Sequence, residues 1–266
     1  MKTPITYYGG KLSMTSAIIK LIPPHKLYCE PFCGGAAVLF AKEKSRLEVI
    51  NDLNGHVANF YKVLRDDFAV LRFMVMQTLH SRSAHRHAAF VLNNPEPFSE
   101  VKRAWAFWVQ TNMSFSSKMF GGYAYERKDN STVVRTHNKK LAFTKKLMHR
   151  LELVDVESND ALKVIRSRDS EHSFFYVDPP YFNSDCGHYK GYTEKNFTEL
   201  LQLLSEIKGK FLLSSYPSQV LEEFTLQSKW DMVAASKRVA ISSQTRKIKT
   251  EVLTANYPIS LAQAKP

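Results

Sequence analysis

The 266-residue sequence predicts an α/β protein built on a doubly wound, Rossmann-like sheet into which a mainly helical subdomain is inserted. Short apolar runs such as Phe174 to Val177 alternate with segments whose apolar residues recur at helical spacing. A glycine turn, Gly34-Gly35, separates the first such run from the first helix. The alternation lapses between about 80 and 150 and then resumes, as an insertion requires.

Leu27 to Phe32 reads as a short buried strand running into the glycine turn, and Ala36 to Lys44 as the helix after it. Glu48-Val49-Ile50 is a second strand ending in Asn51-Asp52, followed by a helical segment from about Val57 to Leu79. Residues 80 to 150 are polar and basic, with a Trp105, Phe107, Trp108 cluster and a loop-like Gly121-Gly122; they form the expected insertion, leaving 1 to 79 and 151 to 266 as the core. Strands resume at Leu153 to Glu157 and Phe174 to Val177. A helix from Glu194 to Lys208 has Thr193 as its N-cap, Gly209 as its stop, and Phe197, Leu200, Leu201, Leu204 and Ile207 on one buried face. Further strands at Phe211 to Ser214, Asp231 to Ala235 and Glu251 to Tyr257, with a helix near Gln219 to Leu226, complete the pattern.

The formal net charge of +12 is partitioned. Residues 118 to 150 carry nine cations (Lys118, Arg127, Lys128, Arg135, Lys139, Lys140, Lys145, Lys146, Arg150) against Glu126 and Asp129. Lys237, Arg238, Arg246, Lys247 and Lys249 form a second group without acids, and the rest of the chain is balanced. Such segregation points to a polyanion and away from mere solubility. No run approaches the roughly 18 apolar residues of a spanning helix, and the start lacks a signal-peptide core, so no membrane partner is expected. Cys29, Cys33 and Cys186 read as reduced thiols without paired metal spacing. His80, His85 and His87 stand among arginines without acids or thiols; a solvated helix is expected there and no metal site.

In an open α/β sheet, ligands bind beyond the carboxyl ends of the strands, and a glycine turn lets the backbone approach them. Glu30-Pro31-Phe32-Cys33-Gly34-Gly35 occupies that place, and Asp52 ends the second strand, where an acid accepts from ribose hydroxyls. An adenosine-containing cofactor follows, a nicotinamide one being equally open at this point; the phosphate-cradling GxxxxGK[ST] pattern is absent around Gly9-Gly10-Lys11. At the end of the apolar strand Phe174 to Val177 stand Asp178-Pro179-Pro180-Tyr181. The prolines fix φ and remove donors, so carbonyls project as acceptors from a rigid loop. Two acceptors suit an amine with two N–H groups, such as the N6 of adenine, whose lone pair is delocalised until its hydrogens are engaged. Tyr181 adds an aromatic face.

With these motifs the sequence resembles, nearly end to end, the Dam-like D12 class of DNA adenine-N6 methyltransferases and their phage relatives. Tyr7-Tyr8-Gly9-Gly10-Lys11 resembles the N-terminal cofactor motif, Glu30 to Gly35 the glycine-loop motif and Asp178 to Tyr181 the catalytic motif, while the insertion sits where the family carries target recognition. Ala36-Ala37 departs from the Gly or Ser common in relatives. The resemblance implies S-adenosylmethionine as cofactor, contacted by Tyr7, Lys11, Asp52 and Asp178 beside Glu30, Phe32, Gly34 and Gly35, with Asp160 near its adenine. It also implies Asp178, Pro179, Pro180 and Tyr181 as catalytic residues.

Adenine N6 in a duplex faces the major groove, so the target base must be flipped out. For double-stranded DNA the resemblance points to 111 to 127 and 242 to 249: Asn112, Ser114 and Ser116 as readers of bases or phosphates, and Lys118, Arg127, Arg246 and Lys247 on the backbone. Tyr189 and Tyr192 either cover the flipped base or are ordinary loop aromatics. A monomer, or a weak dimer on DNA, in a bacterial or phage-infected cytoplasm near the nucleoid is expected. Methylation of cytosine N4, RNA adenine or a protein amide, and a catalytically inactive DNA-binding relative, are the competing readings; Asp178 disfavours the amide and the intact motifs disfavour inactivity.

Overall fold

The computed structural model describes residues 1–7, 9–129, 131–183, 191–238 and 248–260, the side chains of 235–238 and 248–249 excepted. In chain order the elements begin α1 (Thr15–Leu21), β1 (Leu27–Glu30), α2 (Ala37–Ala41), β2 (Leu47–Asn51), α3 (Gly55–Asp66), α4 (Phe68–Gln77), α5 (Arg82–Asn93) and α6 (Glu100–Met113). There follow α7 (Ser131–Leu141), α8 (Lys145–Leu151), β3 (Val154–Glu157), α9 (Ala161–Arg168), β4 (Ser173–Val177), α10 (Glu194–Glu206), β5 (Lys210–Ser215), α11 (Gln219–Ser228), β6 (Asp231–Arg238) and β7 (Ile248–Ala255). The strands form a seven-stranded sheet in the order β3-β2-β1-β4-β5-β7-β6, the mixed α/β architecture the sequence predicts.

The chain folds as two compact units, Met1–Leu12, Gly34–Lys42 and Asp52–Ser158 in one, Ser13–Cys33, Glu43–Asn51 and Asn159–Pro266 in the other. In the second unit, β1 pairs in parallel with β2 and β4, and β4 with β5, in registers that set Cys29 beside Phe175 and Val177 beside Leu213. Strands covered on both faces read as continuous apolar runs, which is why Phe174, Phe175 and Val177 are fully buried. Their core joins Cys29, Val49, Phe175, Leu200, Leu204, Phe211 and Trp230. On α10, Thr193 and Asn196 form a capping box, and Leu200, Leu201 and Leu204 face inward. The helix stops at Glu206, two residues short of the expected end, and Ile207 is an extended C-cap at φ −69 and ψ 151.

Strands β5, β7 and β6 are antiparallel. Only nine residues separate Arg238 from Ile248, too few for the crossover that a parallel pair needs. These strands run to Arg238 and start at Ile248, three residues beyond the expected bounds on each side of the connection.

The first unit is helical around an aromatic core. Phe60 meets Tyr61 at 5.4 Å and Phe107 at 5.6 Å, Phe68 stacks on Phe143 at 5.8 Å, and Trp108 lies edge-on to Phe143. The expected single helix over Val57 to Leu79 is two. Asp67 leaves helical geometry at φ −121, ψ 34, donating its N–H to Val63 while its carbonyl accepts from Leu71. Aspartates favour caps over helix interiors, and the break turns Phe68, Leu71 and Val75 onto the core. At the start of α2, Ala36 takes the left-handed conformation, φ 46 and ψ 39, that a Cβ disfavours. Helix α2 ends at Ala41 instead of Lys44, because Lys42 turns to extended backbone at φ −79 and ψ 163.

Candidate active site

The glycine turn belongs to the first unit and is held there from several sides. The Gly34 N–H donates to Asp52 Oδ2 at 2.9 Å, and the Asn54 N–H to Asp52 Oδ1 at 2.9 Å. Tyr61 donates its hydroxyl to the Gly34 carbonyl at 3.1 Å, and Thr3 its own to the Gly35 carbonyl at 2.5 Å. Gly34 has φ +44, and a Cβ there would stand 2.8 Å from the Tyr7 ring. The turn therefore needs glycine both for its backbone angle and for the close approach of Tyr7. Burial raises the pKa of Asp52, and its bonds from Asn54 and Gly34 work against that rise. Lys11 is buried, with Nζ donating to the Gly9 carbonyl at 3.1 Å.

In the second unit, the loop ahead of the turn hangs on Asn51, which the sequence reading passed over. Its Nδ2 donates to the carbonyls of Pro31 at 2.9 Å and Asn159 at 3.0 Å, and its Oδ1 accepts from the Asn159 N–H at 2.8 Å. Its carbonyl accepts from the Cys33 N–H at 2.8 Å. Glu30 is buried and accepts from the Tyr28 hydroxyl at 2.7 Å, while Phe32 packs on the core of its unit. Asp160 is exposed and caps α9 by accepting from the Lys163 N–H at 3.1 Å.

The fully buried β4 delivers Asp178-Pro179-Pro180-Tyr181 at its carboxyl end. The Tyr181 hydroxyl donates to Asp178 Oδ1 at 3.2 Å and is bonded to Ser214 Oγ, on β5, at 3.0 Å. Tyr216 sets its ring edge-on to Tyr181 at 4.5 Å and 62°. Pro180, Tyr181, Phe182, Asn183, Phe197, Ser215 and Tyr216 line a shallow recess here. Ser214 and Tyr216 lie 33 and 35 residues beyond Tyr181 in sequence, so no local motif announces them.

A model of the D12 class N6 adenine-specific DNA methyltransferases matches residues 7–259. The chain belongs to this family. It is 26% identical over 271 residues to the type II methyltransferase M1.LlaDCHI of Lactococcus lactis subsp. cremoris, covering 94% of this chain and 93% of that protein. It is 30% identical over 101 residues to the DNA N-6-adenine-methyltransferase of Escherichia phage P1, a match spanning 37% of this chain and 13% of the phage protein. Membership in the family supports DNA adenine methylation, and it implies DNA as substrate and S-adenosylmethionine as methyl donor.

The residues of this methyltransferase expected to meet DNA fall into distinct environments. Asn112 is buried, its Nδ2 donating to the Trp108 carbonyl at 2.9 Å. Ser114 is fully buried and bonded to His85 Nε2 at 2.8 Å. Both side chains are thus held in packed positions within the first unit. Ser116, Lys118 and Arg127 are exposed, and so is Phe115, at 71%, an exposed aromatic the sequence reading missed. Tyr192 is half-buried against the core of its unit, its hydroxyl without a partner among the described residues. Tyr189, Arg246 and Lys247 lie outside the described residues.

Three of the nine cations between 118 and 150 are structural. Arg150 is buried on the Leu39 carbonyl at 2.8 Å, Lys139 donates to the Thr3 carbonyl at 3.0 Å, and Lys140 to the carbonyls of Met76 and Thr78. The other six are exposed. The helix with the histidines is also less solvated than expected: His85 is buried, and burial lowers its pKa, with Arg82 adding to the effect. His80 donates from Nε2 to the Ala124 carbonyl at 3.1 Å. No helix among the described residues is long and apolar enough to cross a membrane.

Proposed function

We propose that this methyltransferase moves a methyl group from S-adenosylmethionine directly to N6 of an adenine flipped out of duplex DNA, with Asp178, Pro179, Pro180 and Tyr181 holding the amine. The observation that carries the reading is the catalytic tetrapeptide at the end of the buried β4, with Tyr181 and Tyr216 lining a recess beside it. A base inside the duplex cannot reach a loop at a strand end, whereas a flipped base can lie on an aromatic ring there.

The glycine turn supports the cofactor reading. A backbone without Cβ atoms against the Tyr7 ring, with Asp52 fixed by two N–H groups, is the cradle an adenosine-bearing cofactor needs. We assign to the cofactor Tyr7, Lys11, Gly34, Gly35 and Asp52 of the first unit, and Glu30, Phe32, Asp160 and Asp178 of the second. When bound, S-adenosylmethionine supplies an electrophilic methyl group on a sulfonium. The chain does the rest: the Asp178 carboxylate accepts one N6 hydrogen, a proline carbonyl accepts the other, and Tyr181 stacks on the ring. Both bonds strengthen as nitrogen becomes tetrahedral and positively charged, so they favour the transition state over the ground state.

Residues 80 to 150 form the DNA-recognition subdomain in this reading. Ser116, Lys118 and Arg127 contact DNA from its surface; Tyr192, with Tyr189, Arg246 and Lys247 outside the described residues, contact it from the remainder of the chain, which acts as a monomer. Digestion of DNA after reaction with methyl-labelled S-adenosylmethionine identifies the product. N6-methyladenine is expected. Label in N4-methylcytosine alone, in RNA alone, or in protein would overturn the assignment.

A further inference from the structure

We infer that Ser214 is a positioning residue that acts through the Tyr181 hydroxyl to orient the Asp178 carboxylate, so that Tyr181 serves as a hydrogen-bond donor as well as an aromatic face. The inference rests on the reading of Asp178 as the group that holds the target amine.

The parallel ladder creates the arrangement. Val177 on β4 is in register with Leu213 on β5, so the next residue along each strand, Asp178 and Ser214, sits at the same level of the sheet. Tyr181, three residues into the rigid Pro-Pro loop, returns its hydroxyl to both: 3.2 Å to Asp178 Oδ1 and 3.0 Å to Ser214 Oγ. Ser214 is fully buried, and Tyr216 holds the Tyr181 ring edge-on at 4.5 Å.

Proton counting sets the direction of the chain. A phenol carries one proton, and an ionised carboxylate only accepts, so that proton goes to Asp178. The Tyr181 oxygen then accepts from the Ser214 hydroxyl. The sequence of donors is Ser214 to Tyr181 to Asp178, and bonds in such a chain polarise one another in a dry environment. Burial pushes the Tyr181 pKa well above its ordinary value, the charges of Asp178 and Glu251 add to the rise, and the bond from Ser214 opposes it. The phenol therefore keeps its proton at neutral pH. One carboxylate oxygen is thereby pinned by a group that also belongs to the base platform, which fixes the carboxylate plane relative to that platform.

The test compares the full chain with Ser214→Ala, Ser214→Thr, Tyr181→Phe and the Ser214→Ala/Tyr181→Phe double variant, reading kcat and KM for DNA and for S-adenosylmethionine. Thermal melting checks folding. Ser214→Ala is expected to lower kcat about tenfold, the loss of one bond in a charge-linked chain, with both KM values near wild type. Ser214→Thr restores the rate. Tyr181→Phe, which keeps the ring and loses the proton, lowers kcat at least as much, and adding Ser214→Ala to it has little further effect. A Ser214→Ala enzyme with wild-type kcat, or losses that multiply in the double variant, would overturn the relay while leaving adenine methylation in place. A wild-type enzyme that leaves adenine N6 unmodified would overturn the underlying reading of Asp178 instead.

Discussion

Lys139 shows how far a residue's role can depart from its charge. It sits in the most basic stretch of the chain, yet its ammonium is drawn inward to the Thr3 carbonyl, and burial, with Lys2 and Arg135 nearby, lowers its pKa to about 8. Below that value Lys139 is charged in both the folded and the unfolded protein, so its contribution does not change with pH. Between about 8 and the ordinary lysine value of 10.5 the unfolded chain binds more protons than the folded one, so stability rises with pH. Denaturant unfolding from pH 7.5 to 10.5 is expected to show a rise in the wild type that Lys139→Met lacks; parallel curves for the two proteins would contradict the assignment. At the same scale, Asn51, Ser214, Tyr216 and Tyr61 were silent in the sequence. Each acts on a partner far along the chain or on a backbone group, and neither kind of contact leaves a local pattern. Asp178 and Gly34 were legible because their chemistry is concentrated in contiguous motifs.

Elements were more legible than contacts. The strand Phe174 to Val177 announced itself by an unbroken apolar run, and α10 by its cap and by Leu200, Leu201 and Leu204 at helical spacing. Spacing alone did not expose the break at Asp67, because apolar residues continue at helical intervals on both sides of it. Nor did it fix the strand order, in which β7 lies between β5 and β6; that depends on the length of a connection. The cap on α10 can be measured directly. Thr193 Oγ1 accepts from the Asn196 N–H at 3.3 Å, and Asn196 Oδ1 accepts from the Thr193 N–H at 2.9 Å. Thr193→Ala is expected to cost about 1 kcal/mol of unfolding free energy, read from the denaturant midpoint, with methyl transfer retained; an unchanged midpoint would show that the cap contributes nothing.

Across the whole molecule, the net charge of +12 explains less of DNA binding than its sum suggests, since Lys139, Lys140 and Arg150 are committed to carbonyls of the fold. The six exposed cations between 118 and 150 are the ones able to displace counterions. Removing one, as in Lys118→Ala, is expected to weaken DNA binding for all sequences and to lower the magnitude of the log affinity against log salt slope by about 1; Lys139→Met is expected to leave the slope unchanged. Equal slopes for wild type and Lys118→Ala would place the DNA elsewhere. The central claim concerns Asp178, and the most direct measurement is the single-turnover rate of methyl transfer to DNA adenine by Asp178→Ala beside its DNA affinity. The expected result is a rate reduced to background with salt-dependent DNA binding retained, whereas turnover near wild type would contradict the role given to the carboxylate.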